Sequence, residues 1–295
     1  MKIIRPAPVI ATSLVASSVP DTPAAYSGTA TYGLGQRVQN PTTHREFESL
    51  QANNTGHQLY DAAWWLEVGP TNRWAMFDQT NGTQTVAGEE LQVDLMIGGR
   101  VNAIALLNVE AGAVQITGRI NGQVVYDRTY PMTATAGIDT WFDYFFEPIE
   151  RRPDLIVTDL PTYSNMAVRV RVTRPGGMVK VGTLVIGQVK DLGISLAGLS
   201  ASILDYSRKG ADDFGNAILV ERAFAKKMSA RVVVDNVDLD GVFSALAQLR
   251  ATPVVWLADG RFAVAGVFGF YRDFTVTLEY PEQSVCSLEI EGLSE

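Results

Sequence analysis

The stretch Asp61–Asp78 reads DAAWWLEVGPTNRWAMFD and holds three of the five tryptophans in this 295-residue chain. These are Trp64, Trp65 and Trp74, and the segment Gly69–Asn72 between them is a turn signal. Each large ring carries about 150–250 Å² of surface, so the stretch is stable only where most of that area is removed from water. It therefore predicts the hydrophobic centre of a β-sandwich, with core packing as the first explanation of its rings.

The residues after this stretch alternate between apolar and polar in short runs bounded by turn residues, which is typical of antiparallel β-structure. Leu91–Ile97 alternates regularly, and Val101–Val109 is a mostly apolar run that indicates an inner strand covered on both faces. Asn121-Gly122 separates two alternating runs and predicts a β-hairpin. A second hairpin is predicted for Met166–Ile186, around the turn Pro175-Gly176-Gly177.

These patterns predict the division of the chain. Hardly any helical period precedes residue 190, and another aromatic strand is predicted at Trp141–Phe146. Residues 45–190 are therefore predicted to form an antiparallel β-sandwich, most simply a jelly roll. Residues 1–44 begin with a run rich in Pro, Ala, Ser and Thr and predict an extended N-terminal arm that crosses a neighbour or a second domain. Residues 191–295, where the composition changes, are predicted to form a smaller β-rich domain.

One helix is predicted in this second domain, over Gly241–Arg250. Its apolar residues recur at helical spacing, Asp238 or Asp240 is placed to cap its N-terminus, and Pro253 follows its end. Together with Asp235, these aspartates are spaced loosely like the ligands of a calcium loop, but the ligand at the far end of such a loop is missing. Helix capping explains them more simply, and no metal site is predicted.

The composition restricts the classes of binding partner and the cellular compartment that fit this chain. The formal charge is −8 with Lys and Arg scattered along the chain, so no basic stripe is present and nucleic acid is not an expected partner. Cys286 is the only cysteine, which excludes an intrachain disulfide and fits a reducing compartment. Lys2 and Arg5 precede an apolar run, but Pro6 and Pro8 interrupt it, so export is not expected. No run approaches the ~18 apolar residues of a membrane span.

Residues for catalysis are sparse. His44 and His57 lie in polar loops and no G-x-S-x-G turn is present, so neither a transition-metal site nor a nucleophilic triad is predicted. Cys286 lies in an alternating strand and is expected to be a packed thiol. No catalytic residue and no cofactor are assigned. A glycan-cleaving pair of carboxylates stays open as an alternative, because such pairs meet in space and not in sequence. Its candidates near the aromatic strands are Glu67, Asp78, Asp143 and Glu147.

Binding is the better supported class of function. Trp64, Trp65 and Trp74, with Asn72 and Arg73 beside them, combine the stacking and hydrogen-bonding groups that sugar or protein recognition uses. Alternation along a strand places Trp64 and Trp65 on opposite faces. These five residues are the candidate binding site, with core packing as the competing interpretation.

Seven stretches carry a family resemblance. In the first half they are WWLEVGPTNRWAMFD (64–78), VNAIALLNV (101–109), NGQVVYD (121–127) and KVGTLVIG (180–187). In the second half they are LDYSRKGADDFGN (204–216), TPVVWLAD (252–259) and FTVTLEYPEQS (274–284). Together they resemble structural proteins from the tail tip or baseplate of tailed bacteriophages. The likeness spans most of the chain after residue 30, and none of these motifs is a catalytic signature.

The resemblance implies a galactose-binding-like jelly roll joined to a small tail-type β-domain, assembled in several copies around the tail axis. It implies a non-enzymatic virion protein, assembled in the host cytoplasm, whose arm and C-terminal domain contact copies of itself and other tail or baseplate proteins. The jelly roll then either binds a host-surface glycan or serves as a spacer, and no sugar-contacting residue is carried over. A carbohydrate-binding module and a glycan-cleaving enzyme are the alternatives.

Overall fold

The computed structural model describes residues 1–78, 80, 82–133, 151–211, 214, 216–260, 265–278 and 280–294. Over these residues the protein is mainly β, with antiparallel sheets arranged as a β-sandwich and a single α-helix, as the sequence predicts. The aromatic strand predicted at Trp141–Phe146 lies outside the described residues, and so do two of the candidate carboxylates, Asp143 and Glu147.

The elements are bounded as follows. The strands of the first half are β1 Lys2–Pro6, β2 Leu14–Ser17, β3 Thr31–Tyr32, β4 Arg37–Asn40, β5 Arg45–Ser49, β6 Asn54–Thr55, β7 Trp65–Pro70, β8 Thr85–Ala87, β9 Glu90–Met96, β10 Arg100–Val101, β11 Ala103–Glu110, β12 Ala113–Ile120, β13 Gln123–Pro131, β14 Leu155–Val157, β15 Tyr163–Ser164, β16 Ala167–Thr173 and β17 Val179–Asp191. Those of the second half are β18 Ile194–Ser195, β19 Ser200–Asp205, β20 Arg208–Ala211, β21 Ala217–Val220, β22 Phe224–Asp235, β23 Val254–Leu257, β24 Gly266–Thr277 and β25 Gln283–Ser294, with helix α1 Leu239–Gln248 between β22 and β23.

The largest sheet contains strands from both halves of the chain. Its order is β14-β11-β17-β1-β23-β24-β25-β22, with β8 also paired to β17 and with β18 and β19 paired to β22. Strand β1 lies between β17 and β23, so that Ile4 is opposite Val189 on one side and Val255 on the other. The first strand of the predicted arm therefore joins first-half and second-half strands in one sheet.

The sandwich core lies between this sheet and a five-stranded sheet of order β13-β12-β16-β9-β2. Alternation divides the side chains of β11 between two cores. Ile104 and Leu106 face the sandwich core, whereas Ala103, Ala105 and Leu107 pack in another cluster that includes Ile4 of β1. These five residues of β11 are all buried, which confirms the inner strand that the apolar run predicts.

The hairpin predicted at Asn121-Gly122 is confirmed. Strands β12 and β13 pair across it, with Ile120 opposite Gln123. Asn121 and Gly122 have φ angles of 49° and 82°, and two central residues with positive φ are what a type I′ turn requires.

The hairpin predicted around Pro175-Gly176-Gly177 is wrong. Strand β16 pairs with β9 and β12 in the five-stranded sheet, whereas β17 pairs with β1, β8 and β11 in the large sheet. The chain does reverse at this turn, but the two strands then face each other across the sandwich core. Turn chemistry determines the reversal, and the apolar faces of the strands determine whether they pair edge to edge or pack face to face.

Helix α1 packs on the second-half part of the large sheet through Val242, Leu246 and Leu249. It begins two residues before the predicted start, and Asp238 occupies the N-cap position without a side-chain capping hydrogen bond. The capping position is therefore as predicted, but the predicted bond is not made. Cys286 is buried in the same core, and burial raises the pKa of its thiol to about 11, which confirms the expected packed thiol.

The prediction that the tryptophan stretch forms the centre of the sandwich is wrong. The segment between β2 and β8 builds a three-stranded sheet, β4-β5-β7, and a two-stranded sheet, β3-β6, with Trp65, Tyr32 and Val38 as their own small core. Aliphatic side chains from alternate strand positions fill the sandwich core, so the aromatic rings stabilise this separate segment. Of the stretch, Met76 lies in the sandwich core and Phe77 packs against it.

Candidate functional site

The predicted binding residue Trp65 serves packing within the chain. Its ring is buried and meets Tyr32 and Tyr26 edge to face, with centroids 5.2 Å and 5.8 Å away. Its indole Nε1 donates a hydrogen bond of 2.9 Å to the backbone oxygen of His57. Both the area and the polar group of this ring are therefore used inside the segment.

Trp64 directly precedes β7 and is half-buried. Its ring stacks on the imidazole of His57, with centroids 3.7 Å apart and planes 10° apart. The buried Trp65 and the half-buried Trp64 thus have different surroundings, but Trp64 does not offer two free faces to a ligand.

Asn72 and Arg73 are engaged in structural contacts. The Asn72 side chain accepts from the amide of Val86 and donates to its carbonyl, each at 2.8 Å, which attaches the stretch to β8. The Arg73 Nε donates 2.8 Å to the carbonyl of Val19, and its guanidinium lies 3.5 Å from Asp21. These groups connect the tryptophan stretch to strands of the sandwich and to the N-terminal residues.

Trp74 alone among the five predicted residues lines a cleft. It stacks on His44, with centroids 3.8 Å apart and planes 10° apart, and Phe77 meets its edge at 5.7 Å. The cleft has a volume of about 510 Å³ and includes the charged side chains of Arg45 and Asp78. The rest of its lining comes from Val9, Ile10, Ala11, Thr12, Pro41, Thr42, Thr43 and Pro70.

Burial shifts the pKa of two groups of this cleft, Asp78 and His44. Desolvation raises the pKa of Asp78, although its carboxylate accepts hydrogen bonds of 2.8 Å from the Thr80 amide and the Thr83 hydroxyl. Desolvation lowers the pKa of His44, whose backbone has a φ of 56°. The Trp74 ring is 8% exposed and His44 covers one of its faces, so only a small part of the ring is open to a ligand beside these polar groups.

We expect His44 to make stability fall on acidification. Burial lowers its folded-state pKa below the ordinary value of 6.5, so the unfolded chain binds this proton more tightly. The stability from this group is complete above pH 6.5 and is lost as the pH falls through the folded-state pKa. His44→Asn should reduce the loss of stability on going from neutral to mildly acidic pH, and asparagine tolerates the left-handed backbone of this position.

Urea unfolding at neutral and mildly acidic pH, followed by circular dichroism, measures this difference. His57→Asn is the matched control, because it removes the imidazole from the other stacked pair with Trp64. An equal pH dependence in His44→Asn and the unmodified protein would contradict the assignment.

Sequence reasoning identified Trp74 and Asp78 but not the other walls of the cleft. Pro41–Arg45 and Val9–Thr12 reach it only because of how the chain folds, and no local pattern marks them.

Of the candidate carboxylates, Glu67 forms an ion pair with Arg45, and the charge of Arg45 also acts on Asp78. Among the described residues, no group of three or more His, Cys, Asp or Glu is placed to hold a metal ion.

A second surface lies in the C-terminal part of the chain. We call β19, β20 and β21, with the connecting residue Tyr206, the exposed hairpin. Every residue of these three strands is exposed, although they carry large apolar side chains. Those side chains, with Tyr206, have exposed fractions from 38% to 72% and are Ile203, Leu204, Tyr206, Ile218, Leu219 and Val220. The sequence drew attention to residues 204–216 through the resemblance alone.

Together these features define an antiparallel β-sandwich protein with an aromatic cleft and an exposed apolar hairpin. A scan against models of known protein families found no match, and no curated protein or solved structure matches this chain. The described part of the chain contains no helix with the length and apolar character needed to cross a bilayer.

Proposed function

We propose that this protein is a non-enzymatic structural subunit of a phage tail tip or baseplate, in contact with copies of itself and with other tail proteins. The observation that carries the proposal is the exposed hairpin. Strands β20 and β21 form a two-stranded ribbon, which is marginally stable alone in water, whereas β19 pairs with β22. An apolar strand with open edges promotes pairing with another chain. Exposed apolar side chains grouped on such a ribbon are characteristic of an interaction surface.

Part of the N-terminal arm is available for such contacts. Strand β1 is paired on both sides within the chain. The exposed large apolar residues of the arm are Ile10, Val15 and Leu34, and they are the part of it that supports a contact with a neighbour. The proposed subunit contacts therefore centre on the C-terminal part of the chain.

Mass spectrometry and immunogold electron microscopy of purified phage particles test this function. We expect the chain in the particles, with label at the tail tip, and reading frames for tail tube, tail length or hub proteins beside its gene. A chain that is absent from purified particles would overturn the proposal.

A carbohydrate-binding role is the second candidate, and the aromatic cleft is the observation that favours it. Sugar recognition combines an aromatic surface with a few polar groups, and the cleft places Trp74 beside Arg45 and Asp78. On a glycan array, Trp74→Ala should then abolish binding while Trp64→Ala, outside the cleft, retains it. Circular dichroism must show both variants folded, and an unmodified protein that binds no glycan would exclude this role.

A further inference from the structure

Two exposed surfaces, an apolar hairpin and a cavity of mixed apolar and acidic lining, lie at opposite ends of strand β22. The exposed hairpin leads into its first residue, Phe224, and a cavity of about 480 Å³ lies at its last residues, Val233–Asp235. The strand has 12 residues, which at about 3.3 Å per residue gives about 36 Å of extended chain between the two surfaces. Both are exposed, so the hairpin does not fill the cavity of its own chain.

The exposed hairpin offers a large apolar area for its size. Its six large apolar side chains are 38% to 72% exposed, and because successive strand residues point to opposite faces, they are distributed over both faces of the strands. A stable interface buries about 800 Å² on each partner, so the contact has to use the backbone and polar residues of the hairpin as well as its apolar side chains. Strands β20 and β21 pair only with each other in the described part of the chain, which leaves both outer edges open.

We call the cavity at the other end the acidic cavity, because three aspartates line it. Exposed apolar side chains also border it. Ile194 and Val237 line it and are 73% and 94% exposed. Leu278 and Tyr280 expose 73% and 61% beside it, where the amide of Asn236 donates to the carbonyl of Tyr280. These positions form a recess with an apolar rim, which is the shape that receives a projecting apolar ribbon.

The charges of the two surfaces are opposite where they border the apolar residues. Arg208 is paired with Val220 across the hairpin, and Arg222 lies two residues after the end of β21, so exposed cations lie near that end of its apolar strand. The acidic cavity is lined by Asp191, Asp235 and Asp238, with Lys190 as its only cation among the described lining residues. Asp240 and Glu282 are exposed next to it.

The other described charges leave the stem of the hairpin with a net charge of +1, from three cations (Arg208, Lys209 and Arg222) and two acids (Asp205 and Glu221). Asp205 is paired with Lys209 at 2.7 Å, and Glu221 lies beside Arg222. Asp212 and Asp213 of the tip lie outside the described residues. The complementarity therefore concerns the stem of the hairpin, where Arg208 and Arg222 lie.

We propose that the exposed hairpin of one copy docks on the acidic cavity of a second copy of this chain. The proposal rests on the function proposed above, in which the chain is one subunit of an assembly. Because the two surfaces differ and lie at opposite ends of one strand, each copy accepts one hairpin and donates another. Such a head-to-tail contact produces a closed ring when the rotation between copies closes.

Charge reversal with rescue tests this contact. Arg208→Glu with Arg222→Glu reverses the hairpin, and Asp235→Lys with Asp238→Lys reverses the cavity. The self-association affinity of each variant alone, measured by sedimentation velocity, should fall at least about tenfold, because like charges then face each other. A mixture of the two should associate again, since both of its mixed contacts have opposite charges. Leu219→Asp should also weaken association by at least about tenfold, because it places a charge in the apolar contact.

Controls separate docking from folding and from overall charge. Circular dichroism and thermal unfolding must match the unmodified protein, which excludes unfolding as the cause. Arg100→Glu with Arg152→Glu makes the same change in net charge on exposed first-half residues and should associate normally. Rescue in the mixture is the readout that a merely destabilised variant would not give.

Several outcomes would overturn the docking proposal. They are reversed variants that associate like the unmodified protein, a mixture without rescue, an unmodified chain that stays monomeric up to about 100 µM, and a hairpin that binds only a different tail protein. The particle analysis above is independent of these results. A chain found at the tail tip whose reversed variants still associate normally disproves the docking contact and leaves the proposed function intact.

Discussion

Trp256→Ala should lower the free energy of unfolding by about 3–5 kcal/mol, as expected when a large aromatic side chain is removed from a core. Trp256 has no exposed surface and lies in the core between helix α1 and the large sheet. Its Nε1 donates 2.9 Å to the carbonyl of Gly269, and Tyr271 meets its ring edge to face at 6.2 Å. The Tyr271 hydroxyl in turn donates 3.0 Å to the carbonyl of Leu246 in the helix. The cavity would therefore open where sheet and helix are joined.

Urea unfolding followed by circular dichroism measures this loss. Trp64→Ala is the matched control, because Trp64 is half-buried and outside that core, and we expect a loss of about 1 kcal/mol or less. Trp256→Phe retains most of the volume but leaves the Gly269 carbonyl without its partner, and should lie between the two. Equal losses in Trp256→Ala and Trp64→Ala would contradict the assigned core.

Gly187→Ala should destabilise the protein by at least about 3 kcal/mol, at the upper end of what overpacking costs. A Cβ at this position would lie 1.9 Å from the carbonyl oxygen and 2.8 Å from the carbonyl carbon of Arg5, both backbone atoms of β1. Backbone cannot rotate away as a flexible side chain would, so β1 must move out of its place between β17 and β23. Ile3 and Ile4, which are fully buried in two different clusters, would move with it.

Hydrogen exchange locates this effect. The amides of Lys2–Ile4 should exchange faster in Gly187→Ala than in the unmodified protein, because their pairing on both sides is lost. Gly69→Ala is the matched control, since Gly69 is also a strand residue but has no atom within 4 Å of its added Cβ. Unchanged protection of β1 in Gly187→Ala would show that the contact is not as close as the structure indicates.

The same variant tests the predicted division into residues 45–190 and 191–295, which stays a prediction. If the two parts are independent folding units joined by β1, loosening β1 should separate their unfolding into two transitions. A single cooperative transition in Gly187→Ala would favour one unit across the shared sheet.

Local patterns in the sequence were sufficient for features that depend on neighbouring residues. Alternation and apolar runs predicted β-strands and the inner strand within Val101–Val109, and Asn121-Gly122 predicted its hairpin, because strand period and turn type are properties of a few adjacent residues. The spacing of apolar residues around Leu246 predicted the helix to within two residues of its ends. The candidate Trp74 could be selected in the same way, as a large ring in an aromatic stretch.

The contacts between distant segments required the folded chain. Only the tertiary structure showed that β1 lies between β17 and β23 and that β16 and β17 belong to different sheets. It also showed that Trp65 packs in a separate small core. The cleft at Trp74 is likewise formed by segments distant in sequence, Val9–Thr12 and Pro41–Arg45. The sequence by itself determined that the described part of the chain is built of antiparallel strands with one helix, since that follows from period and turn chemistry. Which strand pairs with which, and which aromatic ring remains accessible, depends on burial summed over residues far apart in the chain, and no local pattern contains that sum.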